Sequence, residues 1–304
     1  MPRKYRTPTS LRPLALSQGS LSRADGSALF SFGNVSVLAS ITGPAEVRLR
    51  DELVDRATLE INVRPLRGLG GPQTRSVEAT LRQLLAPLIL LHLYPRSLLQ
   101  LSVQTISAPS TTFNKAFSTD PTFSPGDVSG KGKGKERPRG VGAGAAEKAA
   151  RINAAMMALV DAGVQCRGML VAVAIALIPS STDEEDDEVL LDPTQAEEDE
   201  ATSTHVFAFS FGRGVGETEG TCVGVESVGL FSEDQLFDAE DLVQTAAQTV
   251  LAFLRKSVET KYGAQGAPRP AQIRPAEGAG GGDVELGEAG EEDADGDDEV
   301  MIDA

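Results

Sequence analysis

Apolar positions change period several times along this 304-residue chain, and each change marks an element. Over residues 15–41, Val35, Val37 and Ala39 recur two apart, with turn signals at Ala24-Asp25-Gly26-Ser27 and at Gly33-Asn34. A period of two, broken by Gly, Asn or Asp, predicts strands joined by tight turns. With a further strand at 57–63, the opening reads as a β-meander. Over 73–91 the period lengthens, and Val77, Leu81, Leu84, Leu85, Leu88 and Ile89 hold one helical face. Pro87 interrupts or kinks that helix because it lacks an N–H and crowds the preceding turn. After Pro95, Leu98, Leu99, Leu101, Val103 and Ile106 predict the next strand.

The middle of the chain, 149–178, organises the rest. Ile152, Ala155, Met156, Leu159 and Ala162 keep helical spacing, Gly163 stands where a helix stops, and a nearly unbroken apolar run leads to Pro179. A helix therefore feeds a buried strand. Ala149, Ala150, Ala154, Ala155 and Ala158 leave little side chain on that helix, which predicts close packing against a sheet. Residues 204–211 alternate as a strand, Gly212, Gly214 and Gly216 read as a turn, and 221–230 complete a hairpin. A last helix is capped by Asp238 with Asp241, holds Leu242, Val243, Ala246, Val250, Leu251, Leu254 and Val258 on one face, and stops at Gly263.

Composition divides the chain further. Residues 1–13 read as a flexible basic arm, because Pro2, Pro8 and Pro13 deny it regular structure. Residues 108–146, rich in Ser, Thr, Pro and Gly, and the acidic stretch 180–200 read as disordered insertions in one domain over 14–262; 263–304 reads as an acidic disordered tail. The formal charge of −16 is therefore local. Residues 263–304 carry twelve acids and two bases, 183–200 carry eleven acids and no base, and removing −10 and −11 from −16 leaves +5 on the remainder. A mildly basic body suits a polyanion partner.

Cys166 and Cys222 form no disulfide framework and read as buried thiols of a reducing compartment. No apolar run follows the basic N-terminus, and no stretch reaches about 18 uninterrupted apolar residues, so a soluble, intracellular protein without a membrane partner is expected. Gly132-Lys133 is followed by Gly134 rather than Ser or Thr, and Gly140, Gly142 and Gly144 follow no strand. Neither phosphate-loop nor dinucleotide pattern is met, and nothing calls for a metal or cofactor.

Several local motifs coincide with this order of elements. The run 22–47 (SRADGSALFSFGNVSVLASITGPAEV), Glu78 in the first helix, Tyr94-Pro95-Arg96-Ser97 before the next strand and 152–163 (INAAMMALVDAG) together resemble the RNase PH family over residues 14–258. Among its members they resemble the ring subunits of the eukaryotic RNA exosome. The resemblance implies an α+β, RNase PH-like domain (ribosomal protein S5 domain 2-like), with helices packed on mixed sheets. It implies other RNase PH-like ring subunits and S1/KH-type cap subunits as partners, single-stranded RNA in the ring channel, and a nuclear, nucleolar and cytoplasmic location.

Active members of the family remove 3′-terminal nucleotides by phosphate attack, which requires a cationic clamp and carboxylates near the scissile bond. In them a Gly-Gly-Thr-Arg-Thr-Ala-Ser run precedes the central helix. Aligned on Ile152, this chain has Ala145-Ala146-Glu147-Lys148-Ala149-Ala150-Arg151. Lys148 replaces the Arg as a point charge without the bidentate fork, and Glu147 beside it is expected to repel an anion. Asp199 matches the first acid of the family's pair, but the second position is His205. The expectation is a non-catalytic ring subunit supporting rRNA maturation and mRNA turnover, with Lys148, Asp199 and His205 as degenerate site positions. Arg64, Arg67, Arg75 and Lys148 are the candidate RNA contacts. An active 3′ exoribonuclease and an RNA-binding homodimer outside the exosome remain the alternatives.

Overall fold

The computed structural model describes residues 6–66, 70–109, 143–179, 188–212 and 219–263. Most of the insertion expected at 108–146, the 263–304 tail beyond its first residue, Gly214, Gly216 and Arg67 lie outside them.

The described residues form an α+β fold with two sheets. In the first, the order is β1 (Leu14–Gln18), β2 (Gly26–Phe32), β3 (Val35–Glu46), β5 (Ser97–Ser107), β4 (Thr58–Arg64). The first three strands pair antiparallel, as their period predicts. β4 leaves the meander: β5 lies between it and β3 and runs parallel to it. A parallel pair needs a crossover, here α1 (Pro72–Leu85) and a 3₁₀ turn at Leu91–Leu93. α1 ends before Pro87 and is not kinked by it; the N–H groups of Leu88 and Ile89 both return to Leu85 O at 3.0 Å.

The second sheet has the order β7 (Glu188–Leu191), β6 (Met169–Ile178), β8 (Ser203–Phe211), β9 (Gly220–Gly229), all antiparallel. Between the two sheets runs α2 (Ala145–Asp161), packed on β2 and β3 of one and β6 and β8 of the other. It is buried on almost every side, and Ala149, Ala150, Ala154, Ala155 and Ala158 have no exposed surface. A methyl group is the largest side chain that lets a helix lie this close to strands on two sides. Gly26 carries the approach further, since a Cβ there would stand 2.5 Å from Ala158 O. Beside it, the N–H of Ser27 donates to Asp161 Oδ2 at 3.0 Å, and the Gly43 N–H to Asp25 Oδ2 at 2.8 Å. The Asp25-Gly26-Ser27 run is thus a joint between β2 and the end of α2.

Asn153 has a less visible task. Its Nδ2 donates to Ala172 O and its Oδ1 accepts the Ala172 N–H, both at 2.8 Å. β7 pairs with β6 only over residues 175–178, so this amide stands in for a missing strand beside Ala172. A buried backbone pair left open there would cost about 1–3 kcal/mol for each group.

The stretch 180–200 is not disordered throughout. Residues 188–191 are β7, with Leu190 and Leu191 buried, and residues 195–200 form α3 (Gln195–Glu200) behind a Thr194/Glu197 capping box. Nor is the basic arm free over its second half. Arg12 is bidentate on the buried Asp192, with Nε at 2.8 Å from Oδ2 and a second bond from Nη2 to Oδ1, and the Arg12 N–H also donates to Oδ2 at 2.9 Å. Arg6 Nη2 donates to Asp192 O at 2.8 Å, and the Leu191 N–H to Pro8 O at 2.9 Å. The acidic run therefore contributes an anchor for the arm. Likewise the insertion expected to end at 146 stops earlier, because Ala145 and Ala146 are already α2.

α4 (Glu233–Gly263) packs along β6, β8 and β9 and reaches β1. It starts more than a turn before the expected Asp238 cap. Ser232 Oγ accepts the Gln235 N–H at 3.3 Å and Gln235 Oε1 accepts the Ser232 N–H at 3.0 Å, a reciprocal cap. No helix of the described residues is long and apolar enough to cross a membrane. Cys166 and Cys222 are free thiols, half-buried rather than buried, and burial pushes Cys166 up to about 11.

Candidate functional site

The head of α2 is where the sequence places a degraded anion clamp. Gly144 is its N-cap in extended conformation and offers no capping side chain. The first N–H groups of a helix attract anions. Here the anion is the chain's own: Glu198, on α3, accepts the Ala146 N–H at 3.0 Å through Oε1. Burial pushes Glu198 up to about 7, against the lowering pull of the Ala146 and Ala145 N–H groups and the Arg12 charge. A side chain at 144 would drive the carboxylate away, since a Cβ there would stand 2.4 Å from Glu198 Oε2.

The cations around this head are spent as well. Lys148 Nζ is bonded to Glu226 Oε1 on β9. Glu147 does not face an incoming anion as expected; it is buried, accepts the Thr105 hydroxyl at 2.6 Å and pairs with Arg151 one turn on. Arg151, 3% exposed, has its pKa drawn down by burial, and Glu147 opposes that shift. The helix spacing i, i+4 brings the two charges together, and Thr105 on β5 closes the triad at 3.1 Å from Arg151 Nη2.

Asp199 lies exposed on α3, where its Oδ1 accepts a bond from Gln195 Nε2 at 3.3 Å. His205 has no exposed surface: Nε2 is 3.0 Å from Ser203 Oγ, Nδ1 is 2.7 Å from Ser227 Oγ, and the Phe231 ring meets it edge-on at 4.7 Å. Burial pulls His205 down to about 4, so the ring is neutral at pH 7. His205 pairs with Ser227 and Val206 with Glu226, and successive strand residues face opposite ways. His205 and the Lys148–Glu226 pair therefore occupy opposite faces of the second sheet, so His205 does not join Lys148 in one constellation. Among the described residues no group of three or more His, Cys, Asp or Glu side chains could hold a metal.

Arg64 and Arg75 contrast with Lys148. Glu78 on α1 accepts the Val63 N–H at 2.9 Å, which brings Arg75, one turn before Glu78, to the same corner as Arg64, next to Val63. Both arginines are exposed, and among the described residues no carboxylate holds either one. Arg82 continues the stripe two turns beyond Arg75 and is exposed too. Sequence reasoning missed Arg82, although its spacing of seven from Arg75 was the available signal. It also missed Glu226 and Arg12, whose partners lie 78 and 180 residues away.

The 3′ exoribonuclease family matches along both halves of this architecture, its domain 1 over residues 10–165 and its domain 2 over 168–244. The chain belongs to the 3′ exoribonuclease (RNase PH) family. Exosome complex component RRP46 of Saccharomyces cerevisiae is 31% identical over 241 residues, covering 79% of this chain and 93% of that protein. Exosome complex component Rrp41 of Archaeoglobus fulgidus is 25% identical, covering 83% of this chain and 84% of that one. The crystal structure of rice (Oryza sativa) Rrp46 has the same fold, with a TM-score of 0.65 at 24% identity over 84% of this chain and 98% of that one. In this family member, domain 1 ends at the helix that fills the core and domain 2 begins at the strand leaving it.

Proposed function

We propose that this chain is a non-catalytic structural subunit of the eukaryotic RNA exosome core ring. It completes the ring with other RNase PH-like subunits, carries S1/KH-type caps on one face and channels single-stranded RNA toward nucleases held elsewhere, in 3′-to-5′ processing and degradation. The nucleus, with its nucleolus, and the cytoplasm are where rRNA maturation and mRNA turnover would require it. Its relatives named as exosome components support the assembly. One observation carries the lack of catalysis: the lysine and the helix N–H that stand where phosphate would bind at the α2 head already hold carboxylates of the chain. Lys148 is bonded to Glu226 and the Ala146 N–H to Glu198. A phosphate nucleophile could enter only by displacing a carboxylate, and the position of the second acid holds a buried neutral imidazole. Arginines 64 and 75, which no carboxylate of the described residues holds, and Arg67, which lies outside those residues, are the RNA contacts that survive.

Purified chain incubated with a 3′-labelled RNA oligonucleotide and inorganic phosphate should leave the RNA at full length, and the native chain should be recovered in a ring-sized complex. Phosphate-dependent shortening by the lone chain, abolished by Asp199→Asn, would overturn the reading.

A further inference from the structure

β9 is the last strand of its sheet, and among the described residues no strand pairs with its outer edge. Open edges are templates for another chain unless they are blunted. This one is blunted only in part, by a bulge at Val223 and by Glu226, which is turned to Lys148: Val223, Val225, Val228, Leu230, Phe231 and Phe237 are all exposed large apolar side chains. Val228, opposite Thr204, faces the other side of the sheet and takes no part. Val225 stands opposite Phe207 and Ser227 opposite His205, so they point to the face where Phe231 covers His205. On α4, Gln244 Nε2 donates to Gly220 O at 3.3 Å and Glu240 interacts with Cys222. Phe237 lies three residues before Glu240 and seven before Gln244, on the same helical stripe, which brings it level with the middle of β9. The result is an apolar strip of Val225, Phe231 and Phe237 beside an open edge.

Its charge selects what can cover it. Residues 219–241 contain seven acidic residues and no lysine or arginine. Lys148 neutralises Glu226 alone, which leaves Glu219, Glu233, Asp234, Asp238, Glu240 and Asp241 around the strip. A second copy docking by the same face would set acid on acid across a two-fold axis, which opposes self-association. We propose that the outer edge of β9, with the adjoining start of α4, docks a different protein subunit that presents an apolar strand edge flanked by lysine and arginine. This rests on the ring-subunit reading and names the face and chemistry by which one neighbour is held.

The test uses the native assembly, purified through the full-length chain carrying a photo-crosslinking residue at position 225 or 237, with position 49 as an exposed apolar control. Adducts from 225 and 237 should fall on one other subunit, in a strand segment with Lys or Arg beside it. Combining Asp238→Lys with Asp241→Lys, at two exposed helix positions, should reduce that adduct about tenfold without changing the melting temperature. Adducts to a second copy, adducts to an acidic segment, or none at 225 and 237 in an assembly that still forms would each overturn this inference and leave the ring reading standing. A chain found only as a monomer would overturn both.

Discussion

The α2 head and the β4–α1 corner both carry positive charge, and they treat it in opposite ways. At the head, Lys148, Arg151 and the Ala146 N–H are each committed to a carboxylate of the same chain. At the corner, Arg64 and Arg75 are exposed, and among the described residues no carboxylate holds them. A charge that is buried and paired serves the fold; one that is exposed and held by no carboxylate is available to a partner. Sequence position alone does not separate the two, because Lys148 and Arg75 both sit in the first turn of a helix.

The sharpest way to break this contrast is at the buried triad. Glu147→Ala leaves Arg151 enclosed without its partner, and unfolding in denaturant should show a loss of about 3–5 kcal/mol. Replacing both, Glu147→Met with Arg151→Leu, should recover most of it; a single variant as stable as the parent would show that the pair is not structural. Next in size is His205→Ala, which strips Ser203 and Ser227 of their partner and should cost about 2 kcal/mol. Its pH signature has a definite sign. Since burial lowers His205 from 6.5 to about 4, the stability it contributes is present above 6.5 and lost as pH falls toward 4. A variant whose acid unfolding limb matches the parent's would refute that.

Glu198 has the opposite slope. Its folded state holds the proton more tightly, up to about 7 against 4.5, so its contribution is full below 4.5 and is lost as pH rises through 7. Glu198→Gln keeps an oxygen for the Ala146 N–H and should melt no lower than the parent at pH 8, with the difference vanishing near pH 4. A clear drop at pH 8 would count against this. The smallest effect on stability belongs to the corner. Arg64→Ala with Arg75→Ala should stay within about 0.5 kcal/mol of the parent. In a fluorescence titration with a single-stranded RNA oligonucleotide, however, the same pair should weaken binding and reduce the salt slope by about 1. An unchanged slope would remove both arginines from the RNA path.

What the sequence made legible was local. The alanines and Gly163 give α2 and its end, alternation gives β3 and β8, and turn signals mark off the other strands of the opening meander and the β8–β9 hairpin, because each rests on neighbours within a turn or two. β7 and α3 stayed hidden inside an acidic run: Leu190 and Leu191 are too few to set a period, and Asp192 is held by an arginine 180 residues away. The start of α4 was misplaced for a different reason, since Ser232 and Gln235 form a cap as good as the acids downstream. At the site, Lys148 and His205 were found as positions, but their states were not legible. Whether a lysine is free or paired depends on β9, and whether a histidine titrates depends on the layers that bury it.

Asn153 finally bears on how many neighbours the second sheet can take. By holding the Ala172 backbone, it seals the side of β6 that the four-residue β7 leaves uncovered, and so one flank of the sheet is closed from within. An incoming strand therefore finds no open backbone pair at Ala172, whereas among the described residues no strand pairs with the outer edge of β9. A side chain that closes a gap a strand would otherwise fill leaves one fewer open stretch of backbone from which copies of a chain could stack into a fibre.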